Sequence, residues 1–181
     1  TAAVGALAAT EAEGASVMLI EKSDGMFGGT SATSGGGFWT PLNKWQAEVD
    51  VTDSRAAAIA YITGCGGGRT DQATVEAFVD TAHIMMEWLS DTTGVEFAVG
   101  GAHDYYDNVE GFLNYGRNSK VKSGKAGDVW NAIQAKLEER GCEILMGTAL
   151  QSFYTDAEGS VIGVKALQGS KEVNIKATAV L

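Results

Sequence analysis

The chain has 181 residues, of which 45% are hydrophobic and 20% charged, a globular composition that excludes disordered, collagen-like and coiled-coil chains. That is the length of one ordinary domain, enough to bury a core without a disulfide or metal staple. A formal charge of −10 argues against duplex nucleic acid or an anionic membrane surface as partner, and 24 glycines beside a single proline, Pro41, point to tight backbone approach and not to a linker.

Residues 2–13 are alanine-rich with Val4, Leu7, Ala8 and Glu11 at helical spacing, and Gly14 stands where a helix is capped. The apolar run Ala15 to Ile20 predicts a strand buried on both faces of a parallel sheet, ending at Glu21. Ser23 to Gly37 is glycine, serine and threonine almost throughout, too polar for a strand and too glycine-rich for a stable helix, and reads as a loop. Helices are predicted over 53–63, capped by Asp53 or Ser54, and over 71–90, with Val75, Phe78, Val79, Ala82, Met85, Met86 and Leu89 recurring at three and four. Gly64 to Gly68 reads as a break between them. Residues 95–125 hold Phe97, Tyr105, Tyr106, Phe112 and Tyr115 without periodicity and read as irregular. Arg117, Lys120, Lys122 and Lys125 close that stretch as a solvated basic run. A helix over 126–140, ended by Gly141, leads into a buried strand from Cys142 to Met146. Strands over 150–155, 161–167 and 172–177, with turn signals between them, predict a three-stranded antiparallel meander.

Cys65 and Cys142 lie far apart with no CxxC and no histidine at ligand spacing, so no metal site is expected and a reduced, cytoplasmic setting fits. No apolar run is long enough to span a bilayer and no signal-peptide pattern opens the chain. Thr1 stands inside a helical pattern and Leu181 inside an apolar run, which reads as a piece truncated at both ends.

Helix, buried strand and strand-end carboxylate form the first constellation with chemistry in it. In dinucleotide-binding folds a glycine-rich turn opens such a helix, whose N-terminus faces the pyrophosphate, and an acid about 20 residues on accepts from ribose hydroxyls. Glu21 stands where that acid would, 18 positions after Ala3, although an acid ends strands in other α/β proteins as well, and Ala2 and Ala3 stand at the helix start. Downstream of it, Gly28-Gly29-Thr30-Ser31 and Ser34-Gly35-Gly36-Gly37 together span ten positions, small residues whose amides approach a phosphate or a ring closely and whose hydroxyls donate to phosphate oxygens. A flexible surface loop is the plain alternative.

The stretch GASVMLIEKSDGMFGGTSATSGGGFWTPLN (14–43) closely resembles the FAD-binding region of the fumarate reductase and succinate dehydrogenase flavoprotein superfamily, especially its 3-oxosteroid dehydrogenase-like branch. DSRAAAIAYI (53–62), ATVEAFVDTAHIMMEWLSDTTGVEF (73–97) and the helix, strand and meander from Asp128 continue the likeness in the same order. The resemblance implies an α/β fold: a Rossmann-like FAD-binding domain with a parallel sheet, flanking helices and the antiparallel meander. Its nucleotide-binding core would be 1–37 with 126–181, around a mostly helical insertion, 38–125, the substrate cap lying beyond the chain. It implies FAD as cofactor, with Glu21 on the adenosine ribose and Lys22 and Ser23 on the adenine side. Gly29, Thr30 and Ser31 would meet pyrophosphate and ribitol, with Gly28 also on the cofactor, and Ser34, Gly35, Gly36 and Gly37 would run beside the flavin. Leu150, after Gly147-Thr148, would lend its backbone to adenine, and Ala2 and Ala3 would lie beneath the pyrophosphate.

The activity implied is oxidation or reduction of a carbon-carbon bond next to a carbonyl or carboxylate in a small molecule, with an electron donor or acceptor as a possible partner. The alternative is a non-catalytic dinucleotide-binding module or an inactive fragment. The resemblance to steroid-acting members makes Tyr105 and Tyr106 the candidate catalytic residues, one of them set against the substrate, with packing or a surface hydroxyl as the competing role. His103, Asp104 and His83 read as structural.

Overall fold

The computed structural model describes residues 2–181. Along the chain the elements are α1 (Ala2–Ala9), β1 (Met18–Ile20), α2 (Gly29–Ala32), β2 (Gly37–Trp39), a 3₁₀ helix (Lys44–Val49), α3 (Arg55–Gly66), α4 (Gln72–Thr93), β3 (Phe97–Val99), β4 (Asn118–Val121), α5 (Gly127–Glu139), β5 (Glu143–Leu145), β6 (Thr148–Thr155), β7 (Val161–Gln168) and β8 (Lys171–Lys176). They divide into two compact units, one of residues 1–32 with 130–181 and one of residues 33–129.

In the first unit β1 and β5 pair in parallel, Met18 opposite Glu143 and Ile20 opposite Leu145. The expected burial of β1 on both faces does not occur: Met18 is 40% exposed, because β5 is its one strand neighbour among the described residues. α1 ends at Ala9, short of the expected Glu13. The Thr10 hydroxyl donates to the Leu7 carbonyl at 2.6 Å and the Arg140 guanidinium donates to the same oxygen at 3.3 Å, so a side chain and a cation close the helix where further turns would have done so. On α5, Ile133 and Leu137 recur at four and are fully buried. Gly141, at φ 75°, then turns the chain into β5. The meander β6-β7-β8 is antiparallel, with Val164 facing Phe153 on one side and Ile175 on the other.

In the second unit β4 lies between β2 and β3, both antiparallel to it, with Phe38 opposite Ser119 and Phe97 opposite Val121. The irregular reading of 95–125 therefore fails for two short strands, and Gly37 begins a third. The break expected at Gly64 is absent: α3 continues to Gly66, since a side chain at Gly64 would collide with Val109, so this glycine serves packing and not helix termination. The left-handed turn falls on Gly67, at φ 56°. Ser54 caps α3 by accepting from the Ala57 amide at 3.1 Å, and Asp71 caps α4 by accepting from Thr74 at 2.8 Å. Val75, Val79, Ala82, Met86 and Leu89 form the buried stripe of α4. Within the 23–37 loop, residues 29–32 make one turn of helix, α2, a departure from the all-loop expectation.

Candidate functional site

In the first unit the parallel pairing leaves Glu21 at the C-terminal end of β1, the end where open α/β sheets take ligands. Its backbone is held on both sides: Glu21 N–H donates to the Leu145 carbonyl at 3.0 Å and its own carbonyl accepts from Thr148 at 2.8 Å. Its Oε1 accepts from the Ser23 amide at 2.8 Å, which orients the carboxylate and leaves further acceptor positions on it. The next residues, Lys22, Ser23 and Asp24, line a cavity of about 560 Å³ together with Met146, Gly147 and Ala149 and with 167–169; Glu21 itself is not in its lining. Gly147 N–H donates to the Ser23 carbonyl at 2.9 Å, zipping the two loops that form its walls. Leu150 stands one residue beyond that wall on β6, opposite Ala166 and 46% exposed. Ala2 and Ala3 open α1, Ala2 exposed and Ala3 half-buried.

The glycine-rich segment is shaped locally. Ser23 Oγ accepts from Met26 N–H at 3.0 Å, and Phe27 is buried. Gly28 adopts φ 98°, and a Cβ there would sit 3.0 Å from the Trp130 ring. Gly29, Thr30 and Ser31 follow on α2, with both hydroxyl residues exposed.

In the second unit Ser34 Oγ accepts from the Gly36 amide at 3.2 Å. Gly36 is buried at φ 70°, with Ala126 where a side chain would go, and a Cβ on Gly37 would lie 3.0 Å from Asn118. Gly35 differs: its φ is ordinary, nothing lies within 4 Å of a Cβ built on it, and it is exposed. The fold itself does not require a glycine there. Gly25, Gly101 and Gly127 share that open space, so at Gly35 the structure shows room for a group to approach the backbone.

Tyr105 is 88% exposed and Tyr106 57%. His103 is exposed, and its Nδ1–H donates to the Asp104 carbonyl at 2.6 Å. The basic run is split: Lys120, Lys122 and Lys125 are exposed, but Arg117 is 2% exposed, against the expectation of a solvated stretch. It forms a two-pronged pair with Asp53 (2.7 and 2.9 Å) and a bond of 2.8 Å to Asp104. Burial pushes the Asp53 carboxyl up, but the hydrogen bonds and charge of Arg117 outweigh it and hold the group below the usual carboxylate value. Arg117 is raised in turn by the two carboxylates despite its burial. The sequence carried no signal for this cluster, whose members lie 64 and 13 positions apart. Among the described residues no group of three or more histidine, cysteine or acidic side chains is arranged to hold a metal.

Parallel strands, a strand-end acid and a glycine-serine loop define an α/β nucleotide-binding protein. The chain belongs to the FAD binding domain family, whose pattern matches residues 2–181, and FAD is its cofactor. It is 38% identical over 106 residues to a 3-oxosteroid 1-dehydrogenase of Comamonas testosteroni, covering 58% of this chain and 18% of the relative. It is 29% identical over 184 residues to a urocanate reductase of Eggerthella lenta, covering 97% and 28%. Among solved structures it shares the fold of a 3-ketosteroid Δ1-dehydrogenase from Sterolibacterium denitrificans, with a TM-score of 0.84 at 20% identity over 96% of this chain and 44% of that one. The chain thus spans 18% and 28% of these curated relatives, and less than half of the solved one. No helix among the described residues is long and apolar enough to cross a membrane.

Proposed function

We propose that the chain is the FAD-binding part of an oxidoreductase acting on a carbon-carbon bond activated by a neighbouring carbonyl or carboxylate, in a 3-oxosteroid-like or fumarate-like substrate. FAD supplies the hydride chemistry when bound. The observation that carries the reading is Glu21: backbone pinned, carboxylate oriented by Ser23, standing at the C-terminal end of a parallel strand and followed by Lys22, Ser23 and Asp24, which line a cavity.

In this reading the Glu21 carboxylate accepts from the adenosine ribose hydroxyls. Lys22, Ser23 and the Leu150 backbone attend the adenine. Gly28, Gly29, Thr30 and Ser31 donate to pyrophosphate and ribitol, with Ala2 and Ala3 beneath them, and Ser34 to Gly37 run along the flavin edge. Tyr105 and Tyr106 meet the substrate, and a separate electron donor or acceptor completes the cycle. The two free cysteines suit a reducing compartment, the cytoplasm.

The test is flavin affinity. In the full-length protein Glu21→Ala weakens FAD binding by about 1–3 kcal/mol, the scale of hydrogen bonds to a charged group, measured by fluorescence titration. Unchanged affinity removes Glu21 from the site. A full-length protein that stays colourless and takes up no added FAD, or that prefers NAD, defeats the reading as a whole.

A further inference from the structure

Buried Arg117 belongs to the second unit, and its bonds reach three separate stretches of backbone, at Asp53, Asp104 and Gly111. Nε and Nη2 grip Asp53, whose Oδ1 accepts from the Ser54 amide at 2.8 Å at the start of α3 and whose Oδ2 accepts from Leu42 at 3.3 Å. Nη1 donates to Asp104 at 2.8 Å and to the Gly111 carbonyl at 2.9 Å. Asp104 is filled as well: Oδ2 accepts from Leu113 N–H at 3.0 Å and Oδ1 from the Trp39 indole at 2.7 Å. The guanidinium carbon sits 5.6 Å from the ring centroids of both Trp39 and Tyr61, and the Tyr61 hydroxyl accepts from the Tyr106 amide at 3.0 Å.

The side chains of Asp53, Arg117 and Asp104 are 1% exposed. One cation between two carboxylates in that setting is a poor source of stability, since apolar side chains of similar volume do as well or better. What the cluster does provide is a fixed frame. Asp104 immediately precedes Tyr105, and Asp104 N–H closes the base of the loop on the Leu113 carbonyl at 3.3 Å. Arg117 immediately precedes β4, which pairs with Gly37, and its carbonyl accepts from Thr40 at 2.7 Å just past β2. The loop so anchored buries neither tyrosine ring. Tyr105 and Tyr106 face solvent while the backbone beneath them is held by charge.

We propose that the buried Asp53–Arg117–Asp104 cluster is a positioning device: it fixes the Tyr105–Tyr106 loop on the same sheet whose strand β2 begins at Gly37, and so sets where the two rings stand for a flat apolar substrate. Arg117 and Asp104 are positioning residues that act through the tyrosines. The proposal rests on the reading of these tyrosines as substrate-facing, and its test separates the two.

Full-length, FAD-loaded enzyme is compared with Asp104→Asn, which is isosteric, and Arg117→Lys, which keeps the charge but loses the fork; bound-flavin absorbance reports that each variant is folded. Hydrogen exchange over 104–113 rises about tenfold in both variants, while 143–155 is unchanged. Unchanged exchange over 104–113 overturns the proposal. With 4-androstene-3,17-dione and an artificial electron acceptor, KM rises about tenfold and kcat changes far less. Asp104→Asn adds nothing further to KM in a Tyr105→Ala/Tyr106→Ala background, and additive effects on KM also overturn the proposal. A wild-type enzyme that does not turn over this steroid removes the 3-oxosteroid-like half of the preceding reading, and exchange then decides the positioning role alone.

Discussion

Gly35 and Gly36 are neighbours that lack a side chain for opposite reasons. At Gly36 the backbone is left-handed, and a Cβ would lie 2.6 Å from that of Ala126, so the protein alone demands glycine. At Gly35 neither condition holds. Gly36→Ala therefore lowers the stability of the apoprotein, by about 1–3 kcal/mol for a residue forced into a sparsely populated conformation. Gly35→Ala leaves the apoprotein melting temperature within about a degree or two, as surface substitutions do. If FAD approaches this backbone, Gly35→Ala still weakens flavin binding, and titration of the two apoproteins separates the roles. A flavin affinity unaffected by Gly35→Ala removes that residue from the cofactor loop. The loop's small residues were legible in the sequence as a group, but which of them answer to the fold and which to a ligand was not. That division depends on Ala126, Trp130 and Asn118, whose proximity no local pattern announces.

Elements declared themselves in proportion to their length. α4 and α5 carry a full apolar stripe over several turns, and the meander strands are long enough to show turn signals on both sides. β3 and β4 are three and four residues long, too short to complete an alternation, and β4 takes Gly37 as the partner of Lys120. The charge cluster is hidden for a related reason. The sequence offers Asp53 or Ser54 as the cap of α3; Ser54 makes it, and the Asp53 carboxylate is committed to Arg117. Because its folded pKa lies below its unfolded one, the stability Asp53 contributes is fully present above the unfolded value, about 3.9, and is lost as pH falls through the lower folded value. At pH 7 Asp53→Asn, which leaves Arg117 a single buried counter-charge, destabilises by about 3–5 kcal/mol. As pH is lowered past about 4, wild type loses stability that the variant lacks to begin with, so the gap between them narrows. Urea unfolding at pH 7 and pH 3 measures it. A gap that does not change with pH means that Asp53 is not ionised against Arg117.

At the scale of the whole molecule the excess of carboxylates enters a question that the charge first helped to settle. A net charge of −10 argues against polyanionic partners, yet FAD is itself an anion through its pyrophosphate. On the proposed reading the groups that meet it are the neutral residues 28–31, while Lys22 is the cation nearest in sequence to the strand-end acid. Amides and hydroxyls hold a phosphate at contact distance and do little to attract it from afar. The long-range field of the chain is therefore repulsive to the incoming cofactor, with a range of about 30 Å at 0.01 M salt and about 10 Å at 0.1 M. Added salt screens that repulsion, so the rate at which this 181-residue chain takes up FAD rises with ionic strength over this range, the reverse of the dependence shown by proteins that collect phosphates with lysine and arginine. Stopped-flow flavin quenching against salt concentration measures the slope. A rate that falls as salt rises would mean that a local positive potential around Lys22 dominates the approach, and the amide-based cradle would then have to be replaced by an ionic one.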